Sequence, residues 1–276
     1  MPIPRVWTHA LLLIGLALYT VFSAGPFAWV SIMSLRTTPE ISASPYGLPE
    51  RIHWDKFLTA WTTSHYGMYF WNSTLVVVSA VAILTILGAM AAHCFARYRF
   101  RGNRLLFFLI FSAIIFPPQV TIISLFQVLV KYGLFNTRAG LTLVYVSIQL
   151  PLTMYILESF FAQIPQELYE AAKIDGCSDY NIFWRLTLPI GVPAIATTII
   201  LNFISLWNEF LYAVVLITDE EMRTLPLGIQ KFMGDQMQDI GMIATGLMIA
   251  IVPVIVVYAL FSEKLIRGMT AGAVKL

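Results

Sequence analysis

The sequence predicts an all-α integral membrane protein with six transmembrane helices, and three observations carry that prediction. Hydrophobic residues make up 58% of the chain and charged residues only 12%, with a mean hydropathy of +0.77, outside the usual range of soluble domains. Six apolar runs approach or exceed the roughly 20 residues that a helix needs to cross a hydrocarbon core about 30 Å thick. These runs are too long and too continuously apolar for alternating barrel strands, so in lipid their backbone groups must be satisfied within helices.

Taken in order, the predicted spans are Leu11–Leu35, Thr74–Ala96, Leu105–Val130, Leu141–Phe161, Ile190–Ile217 and Ile243–Phe261, within a single membrane domain covering residues 1–276. The first exceeds the 7 to 15 apolar residues of a secretory signal core and five spans follow it, so it reads as a retained helix. Between the second and third spans lies the tightest basic cluster, Arg97, Arg99, Arg101 and Arg104. Lysine and arginine concentrate in cytoplasmic loops, which puts this loop, and with an even number of spans both termini, on the cytoplasmic side. Arg5, Lys264, Arg267 and Lys275 agree, while the basic residues of the opposite side are spread over longer, partly acidic loops. Cys94 and Cys177 then face a reducing compartment and read as small packing residues, with no Cys/His spacing of a zinc site. His93 reads as a packed or snorkelling side chain near the inner boundary. The prolines Pro117, Pro118, Pro151 and Pro253 inside spans release carbonyls from the helical ladder and bend it.

Between the fourth and fifth spans the chain turns polar. Pro165 suits a first helical position and Gly176 a left-handed C-terminal residue, which predicts a helix of about 11 residues. Ser178 offers an N-cap for a second short helix running towards Trp184, and Leu188-Pro189 marks entry into the fifth span. On a helical wheel Ile164, Leu168, Ala171 and Ala172 share one face, opposite Gln166, Glu167, Glu170 and Lys173. So short a helix is marginal in water and needs a surface to rest on, either its own membrane domain or a partner.

The register of this segment, Glu170-Ala171-Ala172, three residues, Gly176, nine residues, Leu186, Thr187, Leu188-Pro189, resembles the cytoplasmic signature of the membrane-spanning subunits of bacterial ABC importers. Leu186 stands where the signature has Ile. Phe116-Pro117-Pro118-Gln119, Trp207-Asn208-Glu209-Phe210, Arg223-Thr224-Leu225-Pro226 and the tail Gly268 to Lys275 resemble the second permease subunit of maltose-type sugar importers; Met269 and Leu276 depart from its common Leu and Gly, and the first 70 residues match more by hydropathy than by motif. The resemblance implies a type I ABC importer permease fold, with residues 164–187 as the coupling hairpin that docks on the ATPase through Glu170, Ala171, Ala172, Gly176, Leu188 and Pro189. It also implies the bacterial inner membrane, a homologous permease subunit, a dimeric ATP-binding-cassette ATPase that holds ATP and Mg, an extracytoplasmic solute-binding protein and a carbohydrate substrate. The outer loops Arg36–Trp71 and Thr218–Asp239 are placed to meet the binding protein, although Trp54, Trp61, Tyr66, Tyr69, Phe70 and Trp71 also suit an aromatic belt, above all Tyr69 to Trp71.

No GxxxxGK[ST] phosphate loop occurs in the chain, so it cannot cradle ATP by that route, and no HExxH helix or nucleophile elbow points to an intramembrane enzyme. No cofactor is expected in the chain itself, and nucleic acid is not an expected partner. In the fifth span Thr198, Asn202, Ser205, Asn208 and Glu209 fall on one arc of a continuous helix, with Trp207 turned away; Gln119, Gln127 and Gln149 are further polar candidates. This stripe either lines the substrate path or binds helices to one another. A non-sugar solute such as a phosphorylated polyol, and an ion-coupled secondary transporter, are the alternatives to carbohydrate import by ATP.

Overall fold

Apolar runs fold as helices throughout the computed structural model, which describes residues 5–230, 232 and 239–273, with side chains described except at residues 5–8, 10, 118–119 and 262–273. In chain order the helices are α1 Arg5–Ser34, α2 Thr38–Ala43, α3 Asp55–Thr62, α4 Tyr66–Arg97, α5 Asn103–Phe111, α6 Pro118–Lys131, α7 Arg138–Phe161, α8 Gln166–Ile174, α9 Asp179–Ile182, α10 Leu188–Trp207, α11 Leu211–Leu216, α12 Leu225–Gln230 and α13 Ile240–Ala273. Five stretches among the described residues are long and apolar enough to cross a membrane: Leu11–Ser34, Tyr66–Arg97, Arg138–Phe161, Asp179–Trp207 and Ile240–Phe261.

The third expected span is not one straight helix. It is a bent pair, Asn103–Ile115 and Val120–Lys131, turned by 106°. The cause is local: Phe116 precedes a proline and is forced into extended backbone at ψ 121°, Pro117 has no amide to donate, and Pro118 starts the next helix. The fifth expected span also breaks, because α10 stops at Trp207 and α11 begins only at Leu211. At the opposite end it is longer than expected, since α9 runs through a π-helical turn, Phe183–Thr187, straight into α10. The Leu188 amide reaches back five residues to the Phe183 carbonyl, a wide turn one residue before the amide-less Pro189.

The chain packs as two compact units. One comprises residues 1–67 and 229–252. Its centre is polar: Lys56 Nζ donates to the carbonyls of Ser34 (3.1 Å), Arg36 (2.6 Å) and Gly241 (2.8 Å), and the buried Arg36 guanidinium donates to the carbonyls of Glu40 and Ser44. Burial pulls the Lys56 ammonium below the usual lysine range, opposed by Asp239, Asp55 and Glu40. The apolar window of α1 buries nothing against the described chain, so its hydrocarbon surface is left for lipid or another subunit.

The other unit comprises residues 68–228 and 253–276. Its core gathers Leu84 of α4, Tyr145, Met154, Leu157 and Phe161 of α7, and Ile200, Leu206 and Trp207 of α10, all close to fully buried. The segment around Glu220–Pro226 is stitched to the start of α4. Tyr69 donates to Glu220 at 3.0 Å, Asn72 Nδ2 donates to the carbonyls of Glu221 and Arg223, and Ser73 accepts from the Leu225 amide. Tyr69 is therefore a core residue rather than part of an aromatic belt, whereas Trp71 is 64% exposed.

Candidate functional site

The hairpin is built by local capping. Pro165 is the N-cap of α8 rather than its first helical residue, with ψ 136°, which shortens the helix to nine residues. At the other end Asp175 is the C-cap and Gly176 sits at φ +78°. The Gly176 amide donates to the Lys173 carbonyl and the Cys177 amide to the Ala172 carbonyl, both at 3.0 Å, the paired bonds of a Schellman motif. Ser178 then caps α9 by accepting from the Asn181 amide at 3.3 Å, as its position predicts. Lys173 and Asp179 face each other at 3.5 Å across the two helices, more than half exposed, so the pair adds little stability.

The inner face is anchored by a residue that the wheel assigned to neither side. Tyr169 is buried with Ile164, Ile182 and Phe183 against Ala89 and Ala92 of α4, Leu157 and Phe161 of α7, and Ala194 of α10. Its hydroxyl meets Thr187 Oγ1 at 3.0 Å, and Thr187 Oγ1 meets His93 Nδ1 at 3.1 Å. The Arg97 guanidinium lies 3.9 Å from the Tyr169 ring centroid and donates to the carbonyls of Phe161 and Ile164, the latter at 2.7 Å. His93 is thus a packed residue, enclosed by the rings of Tyr98, Tyr169 and Phe183. Tyr98, just past α4, is pushed up to about 12 by burial and by Asp179, which accepts its hydroxyl.

Anchoring through Tyr169 splits the expected apolar stripe. Ile164 and Ala172 face the core, whereas Leu168 (42% exposed), Ala171 and Ile174 (85% exposed) face outward, three residues apart, beside Glu167 and Glu170. On the second half of the hairpin Tyr180 and Trp184 are exposed as well, their rings 6.0 Å apart. Leu188 packs on the hairpin's core cluster, and Pro189 is exposed in the first turn of α10. The signal for this register was Tyr169 itself, five residues after Ile164 and three before Ala172: a large ring with a polar tip that belongs inside when a partner for its hydroxyl exists.

The polar stripe divides. Thr198 bonds the Ile195 carbonyl of its own helix, and buried Asn202 donates to Thr153 Oγ1 of α7 at 2.8 Å, so these two bind protein. Asn208 is exposed and folds back on the Ile204 carbonyl at the end of α10. Glu209 is not part of a continuous helix: its carboxylate accepts from the Tyr212 amide (2.7 Å), the Ala213 amide (3.2 Å) and the Tyr145 hydroxyl (2.7 Å). A carboxylate that satisfies the first amides of α11 starts that helix and thereby ends the one before it. Ser205 accepts from Gln149 Nε2 of α7 at 2.5 Å.

Ser205, Glu209 and Gln149 line one pocket of about 480 Å³ with Thr121, Ser147 and Tyr212, together with Phe116, Leu125 and Leu152. Gln127 is exposed on α6, and the side chain of Gln119, on the same helix, lies outside the described residues. Of the stripe, then, Ser205 and Glu209 meet at a cavity; Thr198, Asn202 and Asn208 do not line it. Gln149, from a different helix, completes the polar wall, and only the tertiary structure places it there.

Comparison with known proteins agrees with this architecture. The chain is 39% identical over 96% of its length to the diacetylchitobiose uptake system permease of Streptomyces coelicolor, covering 87% of that protein. It is 32% identical over 98% of both chains to the trehalose/maltose transport system permease of Thermococcus litoralis. A chain of a bacterial ABC transporter involved in import of the acidic polysaccharide alginate superposes with a TM-score of 0.79, covering 95% of this chain and 99% of that one at 22% identity, a likeness of fold. Residues 84–270, which hold the hairpin and the pocket, match the family described as binding-protein-dependent transport system inner membrane component, and the chain belongs to that family.

Proposed function

We propose that the chain is a permease subunit of an ATP-driven importer that moves a carbohydrate across the bacterial inner membrane, with both termini cytoplasmic. The observation that carries this reading is the outward apolar row Leu168, Ala171 and Ile174 on a hairpin whose opposite face is fixed to the membrane core. An exposed row of that kind is a docking surface, and the chain has no phosphate loop of its own. Its partner is an ATP-binding-cassette ATPase dimer that binds ATP and Mg, with Glu170, Ala171 and Gly176 shaping the contact, Ala172 packed on the core behind it, and Leu188 and Pro189 fixing the return into α10. A homologous permease and an extracytoplasmic solute-binding protein complete the assembly. ATP binding closes the ATPase dimer and draws the hairpins with it; the permease pair responds only as far as its partners bind the two states differently.

The pocket at the break between α10 and α11 suits a sugar ring. Its amide, hydroxyl and carboxylate groups match sugar hydroxyls, and Phe116, Leu125 and Leu152 offer the apolar side a ring's C–H face requires. No cation lines it among the described residues, which favours a neutral sugar over a phosphorylated polyol. In the assembled transporter, Gln149→Leu should raise the sugar concentration that half-saturates uptake while ATP-dependent assembly persists. Unchanged half-saturation would remove this pocket from the path and leave the hairpin reading untouched.

A further inference from the structure

The last turn of α4 holds both ends of the hairpin. Arg97 and His93 are four residues apart and so share one face of the helix. Arg97 takes the entry side: it donates to the carbonyls of Phe161 and Ile164, which end α7 and lead into α8, and its guanidinium covers Tyr169. Carbonyls at a helix C-terminus lack intrahelical partners and carry partial negative charge, so a cation there both satisfies and attracts them. His93 takes the exit side through Thr187, the last residue before α10, and Thr187 in turn contacts the Tyr169 hydroxyl. Nine residues of α8 cannot hold a rigid shape alone; the packing of Ile164, Tyr169, Ile182 and Phe183 holds the hairpin's shape, and Arg97 adds the tie from that packed face to the end of α4.

We propose that Arg97 is the positioning residue that ties hairpin to α4, so that displacement of the hairpin is delivered to that span and not only to α7 and α10, which it joins covalently. The guanidinium suits the task because its Nη2 donates to both carbonyls while its planar face covers the ring; a lysine ammonium is a point charge with no such face to lay on Tyr169. The inference rests on the docking reading above, and its consequence is specific. Without Arg97 the ATPase still binds the outer face, but hydrolysis no longer drives α4.

The test uses the full transporter, with partner permease, ATPase dimer and binding protein, reconstituted in vesicles, and measures ATPase retention and ATP hydrolysed per sugar imported. For Arg97→Gln the ATPase should stay bound and ATP per sugar should rise about tenfold, within the 5- to 150-fold span typical of coupling free energies. Arg97→Lys should not restore the ratio, whereas Arg99→Gln, an exposed arginine of the same loop, should leave it at the wild-type value. Arg97→Met, which keeps much of the apolar stem and removes the donors to Phe161 and Ile164, should shift the ratio in the same direction, and serves if Arg97→Gln does not fold. A wild-type ratio in Arg97→Gln, or in Arg97→Met where only that variant folds, would overturn the proposal. So would full rescue by lysine, or loss of the ATPase from Arg97→Gln, which would make Arg97 a residue that only maintains the hairpin. The docking reading fails separately, if Leu168→Glu retains the ATPase as wild type does.

Discussion

Gly176→Val isolates the contribution of one backbone angle to coupling. Gly176 sits at φ +78°, and a Cβ built there meets nothing within 4 Å, so the substitution introduces no clash. What it introduces is left-handed strain, about 1–2 kcal/mol for an L-residue and at the upper end for a β-branched one. The Schellman bonds to Lys173 and Ala172 depend on that angle, so relaxing the strain means opening the end of α8 and releasing Ile174 and Ala171 from their shared face. If the ATPase binds only the closed hairpin, its affinity should fall about 5- to 30-fold, the same free energy read as an equilibrium constant. The assay is titration of the permease pair in nanodiscs with labelled ATPase. Gly176→Asn, which tolerates the left-handed region, should fall in between. Gly102→Val is the control, since Gly102 has φ +87° and the same open surroundings but starts α5 rather than ending α8. Wild-type affinity in Gly176→Val, or an equal loss in Gly102→Val, would mean that the backbone angle at the end of α8 does not set ATPase binding.

Leu168→Glu or Ile174→Glu should each weaken ATPase binding at least tenfold, because a buried aliphatic contact is worth about 1.5–3 kcal/mol; the same titration checks it, with membrane insertion unchanged. Asn202→Leu should cost no more than about 1.5 kcal/mol of stability and leave sugar half-saturation unchanged, since Thr153 keeps its bond to the Gln149 carbonyl; altered half-saturation would return Asn202 to the path. Glu40 is held below the usual carboxylate value of 4.5, chiefly because it accepts from the Thr37 amide. A depressed carboxylate stabilises above its unfolded value and loses that contribution as pH falls through the folded one. The start of α2 should therefore fray below about pH 4.5, read as faster hydrogen exchange at Thr37, and pH-independent protection there would contradict it.

Hydropathy made the spans legible because lipid imposes one requirement, apolar side chains on a self-satisfied backbone, that any run of sufficient length displays. The capping residues Gly176 and Ser178 were legible for a similar reason, since their chemistry is local. The breaks were harder. Phe116-Pro117 carries its signal in the sequence, a residue forced out of the helical region by the proline after it, but a bend of 106° depends on what the two halves pack against. At Trp207 to Phe210 no proline or glycine intervenes; the helix stops because the Glu209 carboxylate captures the amides of Tyr212 and Ala213 while Tyr145 of α7 supplies a third donor. That third partner is 64 residues away in sequence, so a wheel drawn along one helix places Glu209 on a face it does not occupy. The same holds for the hairpin, whose inner face is chosen by Arg97 and Thr187 through Tyr169, and for Gln149, which joins the pocket from another helix.

Conversion of ATP hydrolysis on a partner subunit into carbohydrate import through the hairpin is read out by reconstituted uptake. Vesicles holding the permease pair and ATPase dimer, given an oligosaccharide loaded on the binding protein, should accumulate it only with ATP and Mg present, and accumulation should be lost with Leu168→Glu. Uptake that follows an ion gradient without ATP, or that survives removal of the ATPase, would mean that the hairpin does not couple ATP to import.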